Sequence, residues 1–291
     1  MTQKRTGRYG EVPQPMGRPP APLPLVTQQM DPADHPDLTM PQMREERVGG
    51  ALVRQPAYEV APRAPVLPSG PPPEIGLTQH HLPADEPLDT RLTLVGDPDS
   101  ERAAAFRVLR HHLLELGRPQ VIVVSSPTDG NGKTTTAINL ALALAECGRA
   151  KVLLAEAHVR RPQLANVLRL VPPWCFYEQL AAHRHQPMLP WSFVEIPQLW
   201  IHVAAISPRI EKSQLLDAPA FAIAMERLRL GYDHIVIDAP PVLGSADMNL
   251  ISDAADAVVL AVRAHKSTAR ELRRAIDQLG TSKVAGTVLV Q

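Results

Sequence analysis

One stretch constrains this chain more than any other: Val121-Ile122-Val123-Val124, then Ser125-Ser126-Pro127-Thr128-Asp129-Gly130-Asn131-Gly132-Lys133-Thr134-Thr135-Thr136, then the apolar run Ala137 to Cys147. Four apolar residues without alternation suit a strand covered on both faces, and the longer apolar segment after the turn suits a helix. Strand, glycine-bearing turn and helix in that order make a phosphate site. Glycines let backbone N–H groups converge on phosphate oxygens, and the helix N-terminus adds partial positive charge. Asp129, Gly130, Asn131, Gly132, Lys133, Thr134 and Thr135 are therefore the expected nucleotide contacts. Lys133 would reach the β and γ phosphates of ATP, and the Thr134 hydroxyl would ligate Mg2+. Pro127 stands where the usual P-loop pattern has its first glycine.

The rest of the chain divides at about residue 90. Of 31 prolines, 19 precede Ser100, where the only aromatic residues are Tyr9 and Tyr58. Proline removes backbone donors and fixes φ, so residues 1–90 read as a disordered, proline-rich arm, either a tether or a docking segment for a proline-reading groove. From Arg91 the pattern changes. Val152-Leu153-Leu154, Ile235-Val236-Ile237, Val258-Val259-Leu260 and Val288-Leu289-Val290 repeat the unalternating apolar signature, and Trp200 to Ile206 offers another strand. Helices are expected over 101–116, 134–147, 216–229 and 268–279, with Gly148 and Gly280 as stops. Residues 91–291 thus read as one α/β domain with a doubly wound, mostly parallel sheet of P-loop NTPase type.

Asp238 closes one of those buried runs and precedes Ala239-Pro240-Pro241. A carboxylate at a strand end facing a phosphate loop would hold the magnesium shell or orient an attacking group. With these residues in view, about 95–291 resembles the cytoplasmic kinase module of the bacterial tyrosine kinases, which partner polysaccharide co-polymerases in capsule and exopolysaccharide export. The resemblance is closest over Tyr232 to Leu243, the family's Walker B segment, with Asp247, Ala254-Ala255-Asp256 and Val262-Arg263-Ala264 also fitting. It implies an ATP-dependent transfer to tyrosine in which Lys133, Asp238 and Glu156 act at the reacting phosphate. Thr134, Asp238 and Glu156 would hold the metal. It also implies a cytoplasmic protein recruited to the membrane by a separate membrane polysaccharide co-polymerase.

The sequence departs from that family in four places. On the second strand the Asp-x-Asp-x-Arg motif, Walker A′, reads Glu156-Ala157-His158-Val159-Arg160. Glu156 keeps a carboxylate, whereas a neutral His158 is a poor partner for magnesium, which prefers hard oxygen ligands; a base near neutral pH is its remaining use. The segment Ala104 to Leu114 resembles the family's Glu-x-x-Arg-x-x-Arg oligomerisation motif, with Arg107 and Arg110 in register and Ala104 in the glutamate's place. Self-association through Arg107 and Arg110 is implied, and a solvated face outside the Phe106, Leu109 and Leu113 stripe is the alternative. The family's C-terminal tyrosine cluster would lie beyond Gln291. Val290 falls where relatives place an asparagine near the base.

Other function classes are disfavoured. Thirty basic and 30 acidic residues cancel, so no overall field draws a polyanion and no nucleic-acid partner is expected. Cys147 and Cys175 cannot make a disulfide framework. No apolar run reaches membrane-spanning length, and Met1 to Gly10 lacks a signal-peptide core. Two readings compete with an active kinase: a nucleotide-binding pseudokinase, and a partitioning or positioning ATPase of the same P-loop class. Histidine pairs at His80-His81 and His111-His112 lack ligand spacing, and Trp174, Trp191 and Trp200 read as packing residues.

Overall fold

A computed structural model describes residues 70–83, 85–210 and 216–290. Its strands are β1 (Ile75–Gln79), β2 (Val121–Ser125), β3 (Val152–Glu156), β4 (Trp191–Ile196), β5 (Ile201–Ala204), β6 (His234–Asp238), β7 (Ala257–Arg263) and β8 (Val284–Val290). Its helices are α1 (Thr93–Gly96), α2 (Glu101–Glu115), α3 (Lys133–Ala145), α4 (Leu164–Val167), α5 (Phe176–His185), α6 (Ala218–Leu228), α7 (Asp247–Asp253) and α8 (Ala269–Leu279). The strands form one sheet in the order β1-β4-β5-β3-β6-β2-β7-β8. Every neighbouring pair is parallel except β4 with β5.

Four of the five unalternating apolar runs have the expected cause; the fifth, Val288-Leu289-Val290 in β8, lies on an edge strand, with Leu289 65% exposed. Along β2, Val121 and Val123 pack with Phe176, Phe221, Met225 and Ile251 from α5, α6 and α7, while Ile122 and Val124 pack with Ile138, Leu142 and Leu113 from α3 and α2. A strand covered on both faces must be apolar at every position, which is why β2, β3, β6 and β7 were readable. The phosphate loop leaves the C-terminal end of β2 in mid-sheet, between the ends of β6 and β7.

Two strands, β1 and β4, and four helices, α1, α4, α5 and α7, escape the sequence pattern. β4 buries Trp191, Phe193, Val194 and Ile196 but is interrupted by the half-buried Ser192 and Glu195, and it directly follows Pro190. Trp191 and Phe193 stack at 5.6 Å and meet Phe176 of α5 at 6.1 Å each, so Trp191 packs in the core whereas Trp200 is 56% exposed. β1 pairs with β4, Ile75 opposite Trp191, and is mostly exposed along a sheet edge. The folded part therefore begins before the boundary expected at residue 91, and Leu82 and Leu88 also pack on the core. The arm reading for residues 1–69, with Tyr9 and Tyr58, lies outside the described residues.

Candidate nucleotide site

The loop takes its shape from two glycines and one buried amide. Gly130 (φ +77°) and Gly132 (φ +87°) are left-handed, a conformation costly for residues with a Cβ. Gly132 is the N-cap of α3 and offers no capping side chain, so the first amides of the helix remain open to a ligand. Asn131 is fully buried. Its amide nitrogen donates to Thr128 O (2.8 Å) and Thr128 Oγ1 (3.0 Å), and its Oδ1 accepts from Arg263 N (2.9 Å) and Ser267 Oγ (2.8 Å). The side chain of this expected nucleotide contact thus braces the loop from behind and leaves only its backbone for a ligand.

Lys133 opens α3, is 6% exposed, and donates to Asp129 Oδ1 at 3.1 Å. Arg161 also approaches Asp129, at 3.8 Å. Burial raises the Asp129 pKa, but Lys133, His158 and Arg161 outweigh it and hold the carboxyl below its ordinary range. One position on, Thr134 Oγ1 donates to Asp238 Oδ2 at 2.7 Å. Asp238 is 1% exposed and its other oxygen, Oδ1, meets no hydrogen-bond partner in the protein. Burial pushes its pKa up to about 6, against the Thr134 hydrogen bond and the charges of Lys133 and Arg91. A buried acceptor of this kind is costly unless a cation or its water fills it. Hard oxygen donors from Thr134 and Asp238, one of them unpartnered, fit a magnesium ion.

Glu156 sits beside Asp238 in the sheet register but is used differently. Its Oε1 accepts from Gln163 N and from Leu164 N (2.9 Å), at the start of α4; its Oε2 accepts from Ile206 N (2.9 Å), beyond β5. The residue is fully buried, and its pKa is pushed up to about 7 by burial, with the Asp238 charge adding and the three amides opposing. The metal and transfer role expected from the sequence therefore meets a carboxylate turned onto backbone amides. The extra methylene relative to aspartate gives it the reach. His158 is 8% exposed, and burial, followed by Lys133, pushes its pKa down to about 4, so at neutral pH it is an uncharged and weak base.

Asp129, Gly130, Gly132, Lys133, Thr134 and His158 line an open cavity of about 1000 Å³ that continues from the loop past Arg161 to α2 and the end of β8, whereas Asp238 and Glu156 lie beneath its wall. Thr135 lines it, and Val290 covers Gly132, with methyls 3.1 and 3.2 Å from where a Cβ would stand. Arg107 and Arg110 close on Glu146 in the same chain. Arg107 Nη2 lies 2.7 Å from Oε1 and Arg110 Nη1 3.0 Å from Oε2, while Arg110 also donates to Ala143 O at 2.8 Å. Glu146 thus supplies within the chain a carboxylate of the kind that Ala104 lacks, and a contact between subunits through these arginines would have to compete with it. Sequence reasoning missed Arg91, which lines the cavity and whose charge reaches Asp238. It is fixed by Asp89 at 2.7 Å, a pairing with no motif to announce it.

No protein-family model matches the chain. EpsB of Ralstonia solanacearum, which carries the name of a tyrosine-protein kinase, is 29% identical over 188 residues, 65% of this chain and 25% of EpsB. The kinase domain of BceF superposes with a TM-score of 0.55 at 28% identity, over 68% of this chain and 80% of that domain. The chain is similar to bacterial tyrosine kinases in sequence and in fold. Another member of this group of relatives, the succinoglycan biosynthesis transport protein ExoP of Rhizobium meliloti, is 27% identical over 206 residues, 67% of this chain and 26% of ExoP. The chain spans about a quarter of the length of these first relatives. In this domain the loop's left-handed glycines, Lys133 and the Thr134–Asp238 pair stand together at the end of the sheet, while Glu156 at the end of β3 is held by three backbone amides.

Proposed function

We propose that this domain binds ATP with Mg2+ and serves as a tyrosine-protein-kinase-like regulator of capsular or exopolysaccharide assembly, working with a separate membrane polysaccharide co-polymerase. The observation that carries this reading is the pair Thr134 and Asp238, with Asp238 Oδ1 buried and unpartnered beside a buried Lys133. A bound magnesium ion would supply positive charge to offset that of the phosphate oxygens. Around it, Thr134 and Asp238 would hold the metal's shell, and Lys133 with the amides of Gly130 to Thr135 would orient the β and γ phosphates. Lys133 would exchange Asp129 for phosphate. The polysaccharide context draws on the name of ExoP, and the co-polymerase on the family resemblance. A cytoplasmic placement follows from the need for ATP; among the described residues, no helix is long and apolar enough to cross a membrane.

Calorimetric titration of ATP and ADP, with and without magnesium, on wild type and Lys133→Ala tests the site. Equal affinity in both proteins would reject it. Label transfer from ATP to the co-polymerase's cytoplasmic tail tests the activity.

A second reading, a nucleotide-binding pseudokinase, is favoured by one specific arrangement. Glu156 is engaged by three backbone amides and His158 is uncharged, so the β3 end brings no free carboxylate to the phosphates. Sustained Lys133-dependent turnover would exclude that reading.

A further inference from the structure

The turn between β7 and α8 is bound to the phosphate loop by the single side chain of Asn131. Its Oδ1 takes Arg263 N and Ser267 Oγ, one bond at each end of the turn, while its amide nitrogen stays on Thr128. Inside the turn, Lys266 N and Ser267 N both return to Arg263 O, and His265 is held at φ +60°. A non-glycine residue in that region marks a turn fixed by its surroundings.

This fixed turn brings two cations to the loop. Arg263 lines the cavity. The Lys266 ammonium lies directly over Gly130: a methyl group on that Cα would come within 2.1 Å of Nζ. Nearest the loop, Arg91 pairs with Asp89 and both Lys133 and Arg161 with Asp129, while Arg102, at the α2 wall of the cavity, has no carboxylate within ion-pair distance among the described residues. Among the described residues, Arg263 and Lys266 have none within ion-pair distance. Two unpaired cations held against a loop of left-handed glycines match the charge of a polyphosphate better than they match anything in the protein itself.

We propose that Lys266, assisted by Arg263, is a second cationic contact for the phosphate tail of a bound nucleoside triphosphate, carried to the loop by the β7–α8 turn and held in register by Asn131. The proposal rests on the phosphate-loop reading above. It assigns binding to a segment outside the loop motif. Lys133 would hold the tail from the α3 side and Lys266 from the β7 side, with Gly130 between them because a side chain there would strike the ammonium.

The test measures equilibrium affinity of the 291-residue chain for ATP, ADP and inorganic tripolyphosphate. The proteins are wild type, Lys266→Ala, Lys266→Arg, Arg263→Ala and Lys133→Ala, each with its ligand-free unfolding midpoint. Lys266→Ala is expected to weaken ATP and tripolyphosphate alike, by about tenfold, the loss of one charge-assisted contact. Lys266→Arg should restore most of it, and the ligand-free midpoint should stay at the wild-type value. If Lys266→Ala and Arg263→Ala bind as wild type while Lys133→Ala does not, the second contact is refuted and the phosphate loop stands. If Lys133→Ala also binds as wild type, both fall together. A loss for ATP without a loss for tripolyphosphate would move the contact to the ribose or base and overturn the proposal. Tighter binding of tripolyphosphate than of ATP would instead assign the cations to a free polyphosphate, and would also overturn it.

Discussion

Replacing Asp238 by asparagine separates stability from function. In the ligand-free protein burial holds this carboxyl at a pKa of about 6, against an ordinary value of 3.8. At about 1.4 kcal/mol per tenfold change in the proton equilibrium, that displacement corresponds to about 3 kcal/mol. The sign follows from proton counting. Between pH 4 and 6 the unfolded chain releases a proton that the folded chain keeps, so the stability present below the ordinary pKa is lost as pH rises through the folded one. Above pH 6 the folded protein carries the whole cost of a buried, half-unpartnered carboxylate. Asparagine has no charge to lose and retains an oxygen for the Thr134 hydroxyl. Urea unfolding of both proteins from pH 4 to pH 8, without nucleotide, should show curves that nearly coincide at the acid end. They should then separate until Asp238→Asn is the more stable by about 3 kcal/mol at neutral pH. Addition of Mg2+ and ATP should reverse the order, because ligand stabilises only the protein that binds it well. A pH-independent difference would refute the reasoning, as would a variant less stable than wild type at pH 8 without ligand.

Glu156→Gln should gain far less at pH 8 than Asp238→Asn, because relief of a buried charge whose folded pKa lies near 7 is offset by an amide nitrogen facing a backbone N–H where the carboxylate accepts three. Urea unfolding from pH 4 to pH 8 reads the balance, and a gain as large as that of Asp238→Asn would count against the brace. Asn131→Ala should cost about 3 kcal/mol by urea unfolding, because it leaves Arg263 N and Ser267 Oγ without their acceptor, and should weaken ATP binding as well. Glu146→Ala should cost about 1 kcal/mol, the worth of a partly exposed ion pair, with the difference shrinking as salt is raised; unchanged stability at low salt would count against the Arg107–Glu146–Arg110 clamp.

Residue type announced the binding half of the site and tertiary geometry the rest. Gly130, Gly132, Lys133 and Thr134 are contiguous, and the physics that recruits them acts between neighbours, so their order alone points to phosphate. Asp238 was readable because β6 is buried on both faces and ends in a charge. Neither condition holds for β1, an exposed edge strand in a proline-rich stretch, nor for β4, whose apolar run is broken by Ser192 and Glu195 just after Pro190. Glu156 shows the limit most clearly. Its partners, Gln163, Leu164 and Ile206, come from two separate segments that only the fold brings together, so nothing at its own position distinguishes a metal ligand from a brace. Lys266 lies 136 residues from Gly130, and only the β2–β7 pairing places its turn at the loop.

The two buried carboxylates at the ends of neighbouring strands make the functional argument. Both are raised by burial, and the Asp238 charge raises Glu156 further, yet their surroundings differ in one respect: Glu156 is met by three N–H donors, whereas Asp238 is met by one hydroxyl, with its Oδ1 unpartnered. A protein that needed both only for structure would satisfy both. The unsatisfied one lies beside the helix that opens with Lys133 and Thr134, so the instability it causes is located where a divalent cation with a triphosphate would relieve it. The unequal responses expected from Asp238→Asn and Glu156→Gln therefore carry more than two stability values: they distinguish a nucleotide site held poised for ligand from a carboxylate that only braces the fold.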